Sequence, residues 1–339
     1  AAAGAAAGVA APRGAGAAED AAEAERSYYY PSWPALPLAP YGLRRTLLTE
    51  VVPGQVWTLD QIFGTFYVHV PIRATVLALD GGLLVYAPVA ATAECVRMVQ
   101  GLEAAHGPVR FIVLPSKAVE HKVLVPPFAR EFPKARLFVV PGQFSVPVDL
   151  PLGVLGFPSY TEIIDPSRLD ALPWSGECDT AFVDISTFAE LALFHRRSGT
   201  LVVTDSLVSI PEDPPTLLLD RDYSKALRYH ARDDGGLLPD TPETLRRGWS
   251  RIAVFVSFFQ PGALRDGEVR VPETGGVRPW LWQTGWQESF ERLRDGGRPL
   301  VAPIIRELIF KQRPEVARAY ADRLAAWPFA RGVSAHFAC

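Results

Sequence analysis

The chain has 339 residues, 48% of them hydrophobic and 21% charged, with a formal net charge of −3. That is ordinary globular composition, with enough apolar material for one large core or two modest ones. The slight acidity gives no electrostatic basis for binding nucleic acid. No stretch reaches the roughly 18–20 consecutive apolar residues of a membrane-spanning helix; the most apolar run, Ile252 to Phe259, is far too short.

The first 26 residues are mostly Ala, Gly and Glu. Such a stretch buries too little surface to offset its ordering entropy. It reads either as the remnant of an organelle transit sequence or as a disordered mature N-terminus; Glu19, Asp20, Glu23 and Glu25 are atypical of the first. Residues 27–60 read as an arm, with Pro31, Pro34, Pro37 and Pro40 interleaved with Tyr28, Tyr29, Tyr30 and Trp33. That density of proline favours an extended course.

From residue 61 the pattern is that of a folded domain. Thr65 to Val70 and Ala74 to Leu79 are β-rich, and Asp80-Gly81-Gly82 turns the chain into Leu83 to Tyr86, a hairpin signal. Thr92 caps a helix bearing Cys95, Val99, Leu102 and His106, and Gly107-Pro108 ends it. A strand at Val109 to Leu114, a short helix around Pro127 to Phe132 and a strand at Arg136 to Val140 follow, which implies a parallel pair with right-handed crossovers. After a run at Ala181 to Ile185, Glu190 to His195 and Thr200 to Thr204 form a second hairpin across the Arg196-Arg197-Ser198-Gly199 turn, and its second strand runs into Asp205. The stretch 215–330 reads as a helical insertion, with Thr241-Pro242 as a helix start and helices expected at 283–294, 301–311 and 314–327.

The three cysteines, Cys95, Cys178 and Cys339, lack any Cys-x-x-Cys spacing, so neither a disulfide framework nor a thiolate zinc site is indicated. There is no phosphate-binding glycine loop, nucleophile elbow or His-Glu-x-x-His helix. The informative segment is the apolar strand that runs through Leu114-Pro115-Ser116-Lys117-Ala118-Val119 into Glu120-His121. Ser116 and Lys117 could be read as a nucleophile and its activator, but sequence neighbours point apart and the bland reading wins. His69, His106, His195 and His230 have no partner motif and read as structural.

The Glu120-His121 segment resembles the metallo-β-lactamase superfamily, which places His-x-His-x-Asp-His at that position. Ser116 and Ala118 stand where the two leading histidines would be, Glu120 where the aspartate would be, and His121 keeps the last histidine. Asp205 matches the metal-bridging aspartate that follows the family's hairpin. The mid-chain histidine is replaced by polar Ser186 and Thr187, and His336 matches the final ligand. Within the superfamily the chain is most similar to an uncharacterised subfamily found in bacteria and plastids. The phrases that carry this are Asp-Gly-Gly-Leu-Leu-Val-Tyr, Leu-Pro-Ser-Lys-x-x-Glu-His-Lys, and Phe-Pro-x-Ala ahead of Val-Val-Pro-Gly-Gln.

The resemblance implies an αββα sandwich over 61–339: two mixed sheets flanked by helices, with the site at one sheet edge. It implies that one metal pocket is stripped while Glu120, His121, Asp205 and His336 line the other. Two nitrogens and two oxygens suit Zn²⁺, Mn²⁺ or Fe²⁺, so the expected cofactor is one such ion or none. Two-metal chemistry needs ions about 3.5–4 Å apart. The expectation is therefore a residual single-metal hydrolase, with Glu120 and Asp205 as its proton acceptors. The competing expectation is a non-catalytic binding or assembly subunit of a plastid complex, contacting a protein partner through the arm or the Trp280, Trp282 and Trp286 region. Chloroplast location, in stroma or on thylakoids, follows from the plastid resemblance.

Overall fold

The computed structural model describes residues 22–23, 25–30, 42–65, 68–143, 150–220, 223–233, 236, 238–257, 263–271 and 276–337. Most of the leader, and the proline-bearing part of the arm at 31–41, lie outside them. A two-residue pair, β1 (Tyr29–Tyr30) with β2 (Gly42–Leu43), precedes the main sheet.

That sheet has seven strands in sequence order: β3 (Leu47–Val52), β4 (Val56–Thr65), β5 (Val68–Leu79), β6 (Gly82–Tyr86), β7 (Val109–Leu114), β8 (Arg136–Val139) and β9 (Glu162–Ile163). β3 to β6 form an antiparallel meander, and β6 to β9 are parallel. The sheet therefore begins at Leu47, inside the stretch read as an arm; the Leu47–Val52 strand lies beyond Pro40 and pairs with β4. The Asp80-Gly81-Gly82 turn forms as expected. A side chain at Gly82 would sit 2.2 Å from the Pro108 carbonyl, so only glycine lets the turn reach the end of helix α1 (Ala93–His106). Thr92 caps α1 by accepting the Cys95 N–H at 3.1 Å.

The second sheet has the order β10 (Cys178–Ile185), β11 (Phe188–His195), β12 (Thr200–Val203) and β15 (Arg331–Ser334); its first two pairings are antiparallel and the last is parallel. Period-two alternation splits each sheet between two environments. Leu77, Leu84, Tyr86, Phe111 and Val113 face Leu191, Leu193, Val202 and Trp174 in the space between the sheets. Their neighbours Val76, Leu83, Val85, Ile112 and Leu114 pack outward against α1 and against α3 (Val125–Glu131), which follows the short α2 (Val119–Lys122). On the far side Val183, Phe194 and Val203 are covered by Ala317, Tyr320 and Trp327. The layers are thus helix, sheet, sheet, helix, as the sequence reading implied.

The insertion supplies α4 (Ser224–Ala231), α5 (Pro242–Ser257), α6 (Trp286–Arg294), α7 (Pro303–Leu308) and α8 (Pro314–Ala325). It is not wholly helical. Between α5 and α6 runs an antiparallel hairpin, β13 (Leu264–Val271) with β14 (Gly276–Trp282), so Trp280 and Trp282 lie on a strand. Trp282 and Trp286 are buried, and the Arg251 guanidinium lies 5.2 and 4.7 Å from their ring centres. They pack the insertion together instead of forming a bare contact surface. No helix among the described residues is long and apolar enough to cross a membrane.

Candidate metal centre

Strand register builds the site. β12 and β15 run parallel with Val203 opposite Ser334, so the residues two places further on, Asp205 and His336, emerge side by side. Their side chains meet, His336 Nε2 to Asp205 Oδ1, at 3.3 Å. The chain leaving β7 turns over the same sheet end. Its Pro115 carbonyl accepts the Leu191 N–H at 2.8 Å, and Ser116 forms a bridge with Glu190. That loop leads into α2, which carries Glu120 and His121. One ligand atom from each of Glu120, His121, Asp205 and His336 lies within 4.8 Å of every other. Four residues spread from 120 to 336 are thus brought to one point.

The donor chemistry fits a divalent cation. His121 is fully buried, and neither of its ring nitrogens has a hydrogen-bond partner in the protein. A buried imidazole with both nitrogens idle is costly, and a metal bond satisfies one of them. Burial, with His336 nearby, holds the His121 pKa well below the ordinary imidazole value, so it stays in the neutral form that ligates. His336 Nδ1 lies 2.8 Å from the Pro71 carbonyl, a contact that fixes the tautomer and leaves Nε2 as the donor toward the cluster. The 3.3 Å separation of Nε2 from Asp205 matches the edge of about 3.3 Å expected for a tetrahedron with bonds of roughly 2.0–2.1 Å. Burial, opposed by His336 and reinforced by Glu120 and Glu190, pushes Asp205 up to about 7. A cation among these groups relieves that strain directly.

Two polar devices absent from the sequence reading hold the ligands. Glu190, fully buried on β11, accepts the backbone N–H groups of Thr204, Asp205 and Ser206 at 3.0, 2.6 and 3.0 Å. It also accepts the hydroxyls of Thr204, Ser206 and Tyr320. One carboxyl group thereby fixes the whole Asp205 turn. Its signal was available: a lone acid within Phe188-Ala189-Glu190-Leu191-Ala192-Leu193-Phe194. The second device is Arg73 on β5, which bonds Asp60 at 2.7 Å and donates to the Ser334 and Phe337 carbonyls at 3.2 and 2.8 Å. Its own N–H bonds the Ala335 carbonyl at 2.8 Å, so the two sheets are tied together around His336. Phe337 follows with φ of 62°, a left-handed conformation that is costly for an aromatic residue. Arg73 and the Trp249 ring, 5.7 Å away, brace it.

The other half of the expected site is occupied differently. The Ser116 hydroxyl accepts the Ala118 N–H at 2.9 Å, and Lys117 turns away to bond Asp184 at 2.6 Å. They form no nucleophilic pair. Ser116, Ala118 and Thr187 instead line a crevice of about 250 Å³ with Phe188 and the aliphatic side chains of α7. His106 lies tilted against Trp57 with ring centres 4.5 Å apart, and His195 Nδ1 pairs with the Ser198 hydroxyl at 2.7 Å, which is the structural use expected of them.

Comparison with solved structures finds similarity at low sequence identity. The metallo-β-lactamase from Pontibacter korlensis is similar over 73% of this chain and 98% of its own, at 11% identity and a TM-score of 0.38. The metallo-β-lactamase FIM-1 from Pseudomonas aeruginosa, in its mono-zinc form, is similar over 74% and 93%, at 12% identity and a TM-score of 0.34. The Flv1 flavodiiron core from Synechocystis is similar over 87% of this chain and 57% of its own, at 9% identity and a TM-score of 0.41. No curated protein matches the sequence. Residues 53–339, which carry every strand from β4 onward and all four ligand candidates, match the domain of unknown function DUF4336, and the chain belongs to that family.

Proposed function

We propose that the protein binds a single divalent cation through Glu120, His121, Asp205 and His336 and is a single-metal hydrolase. The observation that carries this reading is the convergence of the four donor atoms within 4.8 Å around a buried His121 whose nitrogens have no other partner. When bound, such an ion supplies Lewis acidity toward a carbonyl or phosphoryl oxygen. The chain's own contribution is to hold His336 in one tautomer, through Pro71, and Asp205 in one place, through Glu190. With a cation bound, Asp205 would be held ionised, a carboxylate that can accept a proton from a water at the cluster. Glu120, on the first turn of α2, is the second carboxylate within reach. The alternative of a non-catalytic assembly subunit draws no support from Trp282 or Trp286, which are buried.

The test is a screen of ester, thioester and phosphodiester substrates with protein loaded with Zn²⁺, Mn²⁺ or Fe²⁺. Turnover that disappears in His121→Ala while the fold is retained supports the reading; turnover equal in both proteins contradicts it. For location we propose a plastid, on the subfamily resemblance. A fluorescent fusion that stays in the cytosol of a plant cell would overturn that.

A further inference from the structure

The crevice beside the cluster is made by the same substitutions that strip the first metal pocket. Its floor is Ser116, Ala118 and Thr187, and its outer wall is Ile304, Ile305 and Leu308. No lining residue is titratable, and the Ser116 hydroxyl accepts the Ala118 N–H. The lining therefore repels charge and accepts hydrocarbon. Ile304 and Leu308 leave 38% and 61% of their surface exposed at the rim, apolar area that a ligand would cover. The crevice and the cluster are built from neighbouring residues of the chain. Ala118 is the residue before α2, which carries Glu120 and His121, and Ala189, also in the lining, precedes the Glu190 that fixes Asp205.

Resting on the single-metal reading, we infer that the vacated pocket is the binding site for a medium-length aliphatic chain whose carboxylate or acyl carbonyl head reaches the Glu120, His121, Asp205 and His336 cluster. A 150 Å³ apolar cavity takes one benzene, so about 250 Å³ suits roughly eight to ten carbons. An aliphatic chain is favoured over a ring because α7 offers Ile304, Ile305 and Leu308, branched side chains along one helix flank, as its wall. The cluster alone would recognise a head group without regard to its tail. The crevice makes tail length the selective feature.

Calorimetric titration of the full chain with butanoate, hexanoate, octanoate, decanoate and dodecanoate tests this. Each added methylene should tighten binding about fourfold, with a plateau near eight to ten carbons. The same titration with 1-alkanols on chelator-treated protein should show the same chain-length dependence, since the tail site needs no ion. The carboxylate advantage over the alkanol should vanish in His121→Ala. Ala118→Phe, which fills the crevice, and Leu308→Glu, which charges an exposed rim position at little risk to the fold, should each abolish the chain-length dependence. Wild-type binding that does not change with chain length, or dependence that survives both variants, overturns the inference. Alkanol dependence in protein that never takes up metal would sink the single-metal reading and leave the tail site standing; metal uptake without chain-length dependence would do the reverse.

Discussion

The two halves of the site share one loop and one sheet edge yet have opposite characters. On one side Glu120, His121, Asp205 and His336 converge, braced by Glu190 and Arg73. On the other Ser116, Ala118 and Thr187 leave an apolar crevice. Polar groups are costly to bury unless each has a partner. The half proposed as the metal centre has its side chains fixed by Glu190 and Arg73, whereas the other half is lined by small and aliphatic side chains.

The sharpest way to break this contrast is to remove a support. Glu190→Ala leaves three backbone N–H groups and three hydroxyls without their acceptor. Unpaired buried donors cost roughly 1–3 kcal/mol each, partly recovered by water, so a loss of about 4 kcal/mol is expected in urea denaturation. A loss under 1 kcal/mol would mean that the Asp205 turn is held by something else. Arg73→Met breaks a largely buried pair with Asp60 and should cost about 3 kcal/mol. Because the same guanidinium bonds Ser334 and Phe337, metal affinity should fall roughly 10–100-fold as His336 loses its frame. Unchanged affinity would show that Arg73 serves stability alone.

Buried histidines away from the cluster provide a second contrast. Burial lowers His69 and His195 to about 4. In the unfolded chain they titrate near 6.5. The unfolded state thus binds protons that the folded state refuses, so their contribution to stability is complete above about pH 6.5 and is lost as pH falls toward 4. Replacing both with Gln should flatten the profile of stability against pH by nearly two protons between roughly pH 6 and 5. A slope unchanged from wild type would place both imidazoles in contact with water. The smallest effect belongs to the stripped half. Lys117→Ala removes a pair whose Asp184 is 37% exposed and should cost at most about 1 kcal/mol, with no change in metal content or turnover. A large loss of turnover would revive Lys117 as a chemical participant.

The sequence reading reached the strands and turns whose cause is local. Asp80-Gly81-Gly82 announces its hairpin, Thr92 its helix cap, and the run from Thr200 into Asp205 its strand end. It missed what depends on distant neighbours. The β13–β14 hairpin alternates in Glu268-Val269-Arg270-Val271, but its charges and the flanking helical stripes hid the period of two. β3 was obscured by the prolines before it. Glu120, His121, Asp205 and His336 were legible only because the superfamily resemblance says where to look. Glu190 and Arg73 stand outside any motif, and their roles arise from bonds that span 14 residues within a sheet in one case and 261 between sheets in the other.

The claim that one pocket survives and the other does not is tested most directly by metal stoichiometry. Protein purified without chelator and dialysed against a small excess of Zn²⁺ should hold one ion per chain by mass spectrometry of the element. His121→Ala should hold close to none. Two ions per wild-type chain, or equal and negligible metal in both proteins, would contradict the account.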